Sequence, residues 1–259
     1  MPHPNDRRAL AVWLLVAAVA GLALLIPPIP QPLEYHHFAD RHTCFGITGC
    51  FDIASNALFV LAGLAGLSGL HFLFTKSGQR VFSDPREAIP YRLFFLAAIL
   101  VGLGSGYYHL APDNSRLVWD RAAISLAMMS WLAAVVGERV NVTAGLRLLP
   151  LMYAAGLGSV IYWGWSEANG IGDLRPYGVI QFYPMLLIPL LLRLYPPRYS
   201  GDKDILAVIG LYLLALLCDL MDHQIAALTR VVSGHTVKHA IAALAMYWVV
   251  VRLRRRRIM

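Results

Sequence analysis

Two histidines four residues apart, His235 and His239, stand at the head of the last hydrophobic segment, in the run Ser233-Gly234-His235-Thr236-Val237-Lys238-His239. On a helix this spacing puts both imidazoles on one face, one turn apart, where they can share a metal ion. The segment behind them, Ala240 to Val251, is apolar enough for lipid, so a polar pair there is costly unless it faces the protein interior. Further donors lie upstream. His109 closes the run Gly102-Leu103-Gly104-Ser105-Gly106-Tyr107-Tyr108-His109, with Ser105 one turn deeper on the same face. Asp120 then opens the following apolar segment. Read as consecutive antiparallel helices, these segments bring His109 and Asp120 to similar depth, the depth at which the last helix begins. Three imidazoles beside a carboxylate suit a catalytic zinc site with one position left for water. Each residue also has an ordinary role open to it. His109 and Asp120 suit an interfacial hydrogen-bonded pair, Asp120 beside Arg121 suits a helix N-terminus, and Ser105 suits close helix packing.

The elements that carry these residues follow from composition. Of 259 residues, 58% are hydrophobic and 14% charged, whereas a soluble domain carries about a quarter charged residues. With a mean hydropathy of +0.58 and apolar residues gathered in long runs, the chain reads as an all-α, polytopic membrane bundle. The net charge of +7 does not indicate a nucleic-acid partner. Its densest cluster, Arg252 and Arg254 to Arg257, follows a hydrophobic segment, as a cytoplasmic anchor does. Three cysteines without a CxxC pair argue against a thiolate cluster.

Eight segments approach the length of a spanning helix, at roughly 9–26, 52–73, 92–110, 118–137, 148–164, 177–194, 204–221 and 235–252. The first ends in Ile26-Pro27-Pro28-Ile29-Pro30 without a small-x-small cleavage site and reads as a retained helix. Lys and Arg collect in alternate connections: Arg7 and Arg8; Lys76, Arg80, Arg86 and Arg92; Arg139 and Arg147; Arg193, Arg198 and Lys203; and the terminal arginines. The bias predicts both termini in the cytoplasm. The opposite connections hold His36, His37, His42, His109, Asp113, Asp120, Glu167, Asp173, Asp219, Asp222 and His223 and lead into His235 and His239, so that only His3 and His71 of the nine histidines lie elsewhere. The working site is therefore expected at the non-cytoplasmic end.

Other groups are more open. The loop histidines His36, His37 and His42 suit a second metal site or plain solvation. Asp52, Ser55 and Asn56 suit helix capping. Asp222 is a candidate partner orienting a ligand imidazole. Cys44 and Cys50 suit a small disulfide loop or two free thiols.

As a set, Gly104-Ser105-x-x-x-His109, Asp120 and His235-x-x-x-His239 resemble the alkaline ceramidases. That family belongs to a superfamily of seven-helix membrane hydrolases that includes the adiponectin/progestin-type receptors and GPI-lipid remodelling enzymes. Asp52-Ile53-Ala54-Ser55-Asn56 resembles the family's first-helix motif with its Ser-Asn pair. Phe38-Ala39-Asp40-Arg41, Gly172-Asp173-Leu174-Arg175, Gln181-Phe182-Tyr183-Pro184 and Ser233-Gly234-His235-Thr236 are similar to blocks of its bacterial members. The resemblance runs from about Tyr35 onward. It implies a zinc hydrolase core at 35–259, with an additional N-terminal helix in 1–34. It also implies zinc on His109, His235 and His239, with Ser105 and Asp120 at the catalytic water and substrate, in a bacterial inner membrane with the site toward the periplasm. Gly49 stands where the eukaryotic enzymes carry a calcium-site glutamate, so calcium dependence does not transfer.

The expected function is hydrolysis of the amide of a ceramide-like lipid drawn from the bilayer. Asp120 would move the protons, Ser105 would donate to the oxyanion, and the apolar helices would form a chain cavity to which Gly63, Gly66, Gly102 and Gly104 give room. Alternatives are an ester or phospholipid hydrolase on the same site, a receptor-like lipid binder with structural zinc, and a haem protein using these histidines as axial ligands.

Overall fold

The computed structural model describes residues 4–75 and 81–259; His3, Lys76 and Arg80 lie outside them. The architecture is an all-α bundle. Its helices are α1 (Pro4–Leu25), α2 (Cys50–Ala54), α3 (Ala57–Thr75), α4 (Ala88–Leu110), α5 (Asn114–Arg139), α6 (Val142–Ala168), α7 (Arg175–Leu194), α8 (Asp202–Leu220), α9 (Asp222–Thr229) and α10 (Gly234–Arg255). Among the described residues, seven helical stretches are long and apolar enough to cross a membrane, α2 and α3 together forming one of them. The eighth expected span differs. α8 is bracketed by Asp202, Lys203 and Asp204 at one end and Asp219 at the other, which leaves a short apolar stretch. It reaches the spanning criterion only together with α9, from which it is bent by 78°. A multi-pass membrane protein with seven such helices, or eight if the bent pair counts as one, is what the fold supports.

α5 lies at the centre, packed on α4, α6 and α7, while α10 packs on α3 and α8 and α1 packs on α7. The close crossings depend on glycine. A Cβ on Gly63 or Gly66 would overlap Phe95 or Ile99, one on Gly102 would meet the Asn56 carbonyl, and one on Gly104 would lie 2.7 Å from the Trp119 carbonyl oxygen. These glycines bring α3 to α4 and α4 to α5. They do not line the cavity described below, so the expectation that they make room for it is corrected.

The terminal basic cluster also departs from a simple surface anchor. Arg252 and Arg256 are buried and both bind Glu138, Arg252 through a 2.7 Å contact. Tyr91 donates to the same carboxylate, and the Arg256 guanidinium stacks over Tyr199 at 4.0 Å. A desolvated guanidinium needs such a partner, which explains why the two turn inward. Seventeen helical residues separate Arg252 from His235, about 26 Å at 1.5 Å per residue. The charge cluster and the histidines thus occupy opposite ends of the bundle.

Candidate metal centre and its cavity

α10 begins with Ser233 as its N-cap, accepting from the Thr236 amide. The next residue must be small. A Cβ on Gly234 would sit 2.2 Å from the Cys218 carbonyl oxygen and 2.6 Å from Asp222 Cα, so the helix head is pressed against the α8–α9 junction. That contact seats His235, whose backbone amide donates to Asp222 Oδ1 at 2.8 Å. Gly104 does the equivalent on the other side, holding α4 against the start of α5 so that Ser105 and Asp120 line one cavity.

The result is one cluster. His109, His235 and His239 are all buried and offer ring nitrogens within 4.8 Å of one another. The His235 and His109 Nε2 atoms are 3.0 Å apart, and two nitrogens on a tetrahedral zinc lie about 3.3 Å apart, given bonds of roughly 2.0–2.1 Å. Hydrogen bonds set the tautomers. His235 Nδ1 lies 2.6 Å from Asp219 Oδ1, and an ionised carboxylate only accepts, so Nδ1 carries the proton and Nε2 a lone pair. His239 Nδ1 lies 2.8 Å from Ser55 Oγ. That hydroxyl already donates to the Asp52 carbonyl, so it accepts from His239 and again leaves Nε2 bare. Two imidazoles held with outward lone pairs fit a metal ion better than they fit each other.

Asp222, expected beside a ligand imidazole, instead accepts from two backbone amides, those of His235 and Ala39 at 2.8 Å each. Its position at the start of α9 turns its carboxylate to the chain ends rather than to a ring. Asp219, one turn back on α8, takes the imidazole and also accepts from Lys238 Nζ at 3.1 Å. Ser55 is more than a cap. Its bond to the Asp52 carbonyl, with Asn56 Nδ2 competing for the same oxygen, breaks the helix between α2 and α3 and points the hydroxyl at His239. The Asp52 carboxylate ties this turn to Ser233 and Thr236 at the head of α10.

The loop before α2 closes the outer side. The Phe38 ring packs 4.6 Å from His109 and 4.3 Å from His235, centre to centre. Burial alone would raise the Asp40 pKa, but the amides of His42, Phe51 and Asp52 and the His42 ring bond to it and hold it below the ordinary carboxylate value. A disulfide joins Cys44 to Cys50 within the same loop. The loop histidines have other partners: His36 bonds Tyr108 and Asn114, His42 bonds Asp40, and His37 offers its carbonyl to His223. Among the described residues they form no second metal cluster.

Inward of the histidines lies a cavity of about 790 Å³. Ser105, Asp120, Lys238 and His239 line it together, with Asp219, Arg121 and Tyr35 beside them. Its walls are otherwise mainly apolar, supplied by residues such as Phe59, Trp131, Met185 and Ala242. Helix α1, the expected addition to the seven-helix core, contributes Val19, Leu22 and Ala23 to the wall, and Ile26 joins them just past its end. It is fastened there through Arg175, whose guanidinium donates to the Ile26 carbonyl at 2.5 Å.

Of the residues expected at the site, His109, His235 and His239 meet directly, Ser105 and Asp120 meet at the cavity head, and Asp222 stands behind the backbone. Asp219, Ser55, Lys238, Arg121 and Phe38 were not singled out for these places. Lys238 stands in the same run as His235 and His239, but no short-range spacing links Asp219, Ser55, Arg121 or Phe38 to the histidines, so only the fold reveals their places. Neither a protein-family model, a curated protein nor a solved structure matches the chain.

Proposed function

We propose that the protein is a membrane-embedded zinc amidase that hydrolyses ceramide-like lipids. The observation that carries this reading is the meeting of three buried histidines, two of them held with outward lone pairs, beside Ser105 and Asp120 at the polar head of a mainly apolar cavity. The resemblance of this residue set to the alkaline ceramidases supports the amide as the bond cleaved.

His109, His235 and His239 would hold the ion. Zinc bound there supplies Lewis acidity, polarising an amide carbonyl and making water acidic near neutral pH. The chain's own groups do the rest. Asp120, facing the cavity, takes a proton from the attacking water and returns it to the departing amine. Ser105 rests against Asp120; when a substrate enters, its hydroxyl turns to donate to the developing oxyanion. Asp219 and Ser55 keep the two imidazoles of α10 in one tautomer and orientation. The apolar walls hold acyl and sphingoid chains and keep bulk water out. Arg139, Arg198 and Lys203 lie at the end remote from the histidines, which supports a cytoplasmic face there and a site opening on the opposite side.

The test is zinc content and turnover of detergent-purified protein, wild type beside His235→Ala and Asp120→Asn. About one zinc per chain with ceramide hydrolysis is expected for wild type, zinc loss for His235→Ala, and retained zinc without turnover for Asp120→Asn. Hydrolysis of lipid esters but not of any N-acyl lipid would replace the amidase reading by an esterase.

A further inference from the structure

The polar head of the cavity carries two cations beyond the histidines, and they differ in one respect. Lys238 is matched: its ammonium lies 3.1 Å from Asp219. Arg121 is not. It is buried at 6% exposure and lines the cavity, yet no carboxylate among the described residues lies within ion-pairing distance of it. Glu167, nearby, is engaged with the Gln31 amide and Trp163 Nε1. Three rings surround the guanidinium, Trp163 at 4.0 Å, Tyr177 at 4.9 Å and Tyr35 at 5.7 Å. Aromatic faces stabilise the cation through its plane. They leave its N–H edge to other partners. On that edge Nη2 donates to Gln31 Oε1, while Nη1 is buried with no hydrogen-bond partner.

Arg175 offers the contrast. It also lines the cavity, but Asp173 grips it at 2.7 and 2.8 Å and the Ala23 and Ile26 carbonyls take its remaining donors. A buried charge with an open donor edge is expensive unless something supplies the counter-charge. The planar guanidinium fork matches phosphate and carboxylate oxygens. Asp120, the neighbouring residue, acts on Arg121 only through space and forms no ion pair with it among the described residues, and Asp219 is held by Lys238 and His235, so neither acid occupies the open donor edge.

We infer that Arg121 is the headgroup-recognition residue of this site, and that the lipid it selects carries an anionic oxygen-acid headgroup such as a phosphate monoester. The aromatic box fixes the guanidinium, Nη1 meets the anion, and the chains descend between α5, α7 and α1. This inference rests on the proposed function only for the cavity being a lipid site.

The test is binding, without turnover, to the full-length protein in detergent. Oleoyl lysophosphatidic acid is compared with monooleoylglycerol, which has the same chain and lacks the phosphate, and with free oleate. Wild type should prefer the phosphate lipid at least tenfold. Arg121→Gln should bring that preference to within twofold through lost affinity for the phosphate lipid, and Arg121→Lys should retain only part of it. Wild type without the preference overturns the inference, whatever the variants do. So does a preference that survives in both folded variants. A preference for oleate but not for the phosphate lipid also overturns it, assigning Arg121 to a fatty-acid carboxylate. Absent zinc or absent turnover would sink the amidase reading and leave this binding result intact.

Discussion

Asp219 is the residue through which the metal-centre geometry can be tested most sharply. Its carboxylate holds His235 Nδ1 at 2.6 Å and Lys238 Nζ at 3.1 Å. In Asp219→Asn an amide oxygen still accepts from Nδ1, so the tautomer survives, but the negative charge behind the imidazole is lost. The Lys238 ammonium then stands near the histidines without its counter-ion. Mutating the partner behind a metal-bound imidazole weakens metal binding about 10–100-fold, equivalent to roughly 1.4–2.8 kcal/mol. Because the ring keeps its acceptor while the charge is lost and the ammonium adds repulsion, a loss within that range is expected. The assay is competition of detergent-purified protein with a chromophoric zinc chelator, with His235→Ala as the reference for a destroyed site. An Asp219→Asn affinity within twofold of wild type, alongside metal loss in His235→Ala, would refute the claim that the Asp219 charge strengthens the ligand ring.

Three further outcomes follow from the packing and charge. Gly234→Ala places a methyl 2.2 Å from the Cys218 carbonyl oxygen, so it should cost about 1–3 kcal/mol or more and lower zinc content by displacing His235, read by thermal melting and metal analysis. Glu138→Gln leaves Arg252 and Arg256 without their shared carboxylate. It should destabilise by about 3–5 kcal/mol, seen in thermal melts, while zinc stoichiometry holds because the histidines sit at the far end. Asp40 is held below its ordinary value of 3.8 by the hydrogen bonds that outweigh its burial. Its contribution is therefore complete above that value and lost as pH falls through the lower folded one. Hydrogen exchange across residues 39–52 should quicken in that acid range, and Asp40→Asn should abolish the acid dependence.

Much of this molecule is written in local patterns. Long apolar runs require helices, since backbone groups in lipid must be satisfied within the segment, and seven of the expected spans survive as such. The spacing of His235 and His239 puts two rings on one face, and Ser105 lies one turn from His109, whatever the rest of the chain does. The same rules read α8 as a plain eighth span, whereas acidic residues at both ends shorten its apolar stretch and it counts as one only together with α9 beyond a sharp bend. They also could not choose between Asp219 and Asp222. The two lie three residues apart near one helix end, and the break at Met221 decides which meets a ring and which meets backbone.

What only the tertiary structure decided are relations between residues far apart in the chain. Ser55 reaches His239 and Phe38 covers His109 because the loop before α2 folds over the head of α10. Arg121 enters its aromatic box because α6 and α7 close around α5. Glycine runs read as room for a substrate proved to be helix crossings, and the added N-terminal helix also supplies a cavity wall. Periodicity reports which face of a helix is apolar. Which neighbour that face meets is set by the packing of the whole bundle.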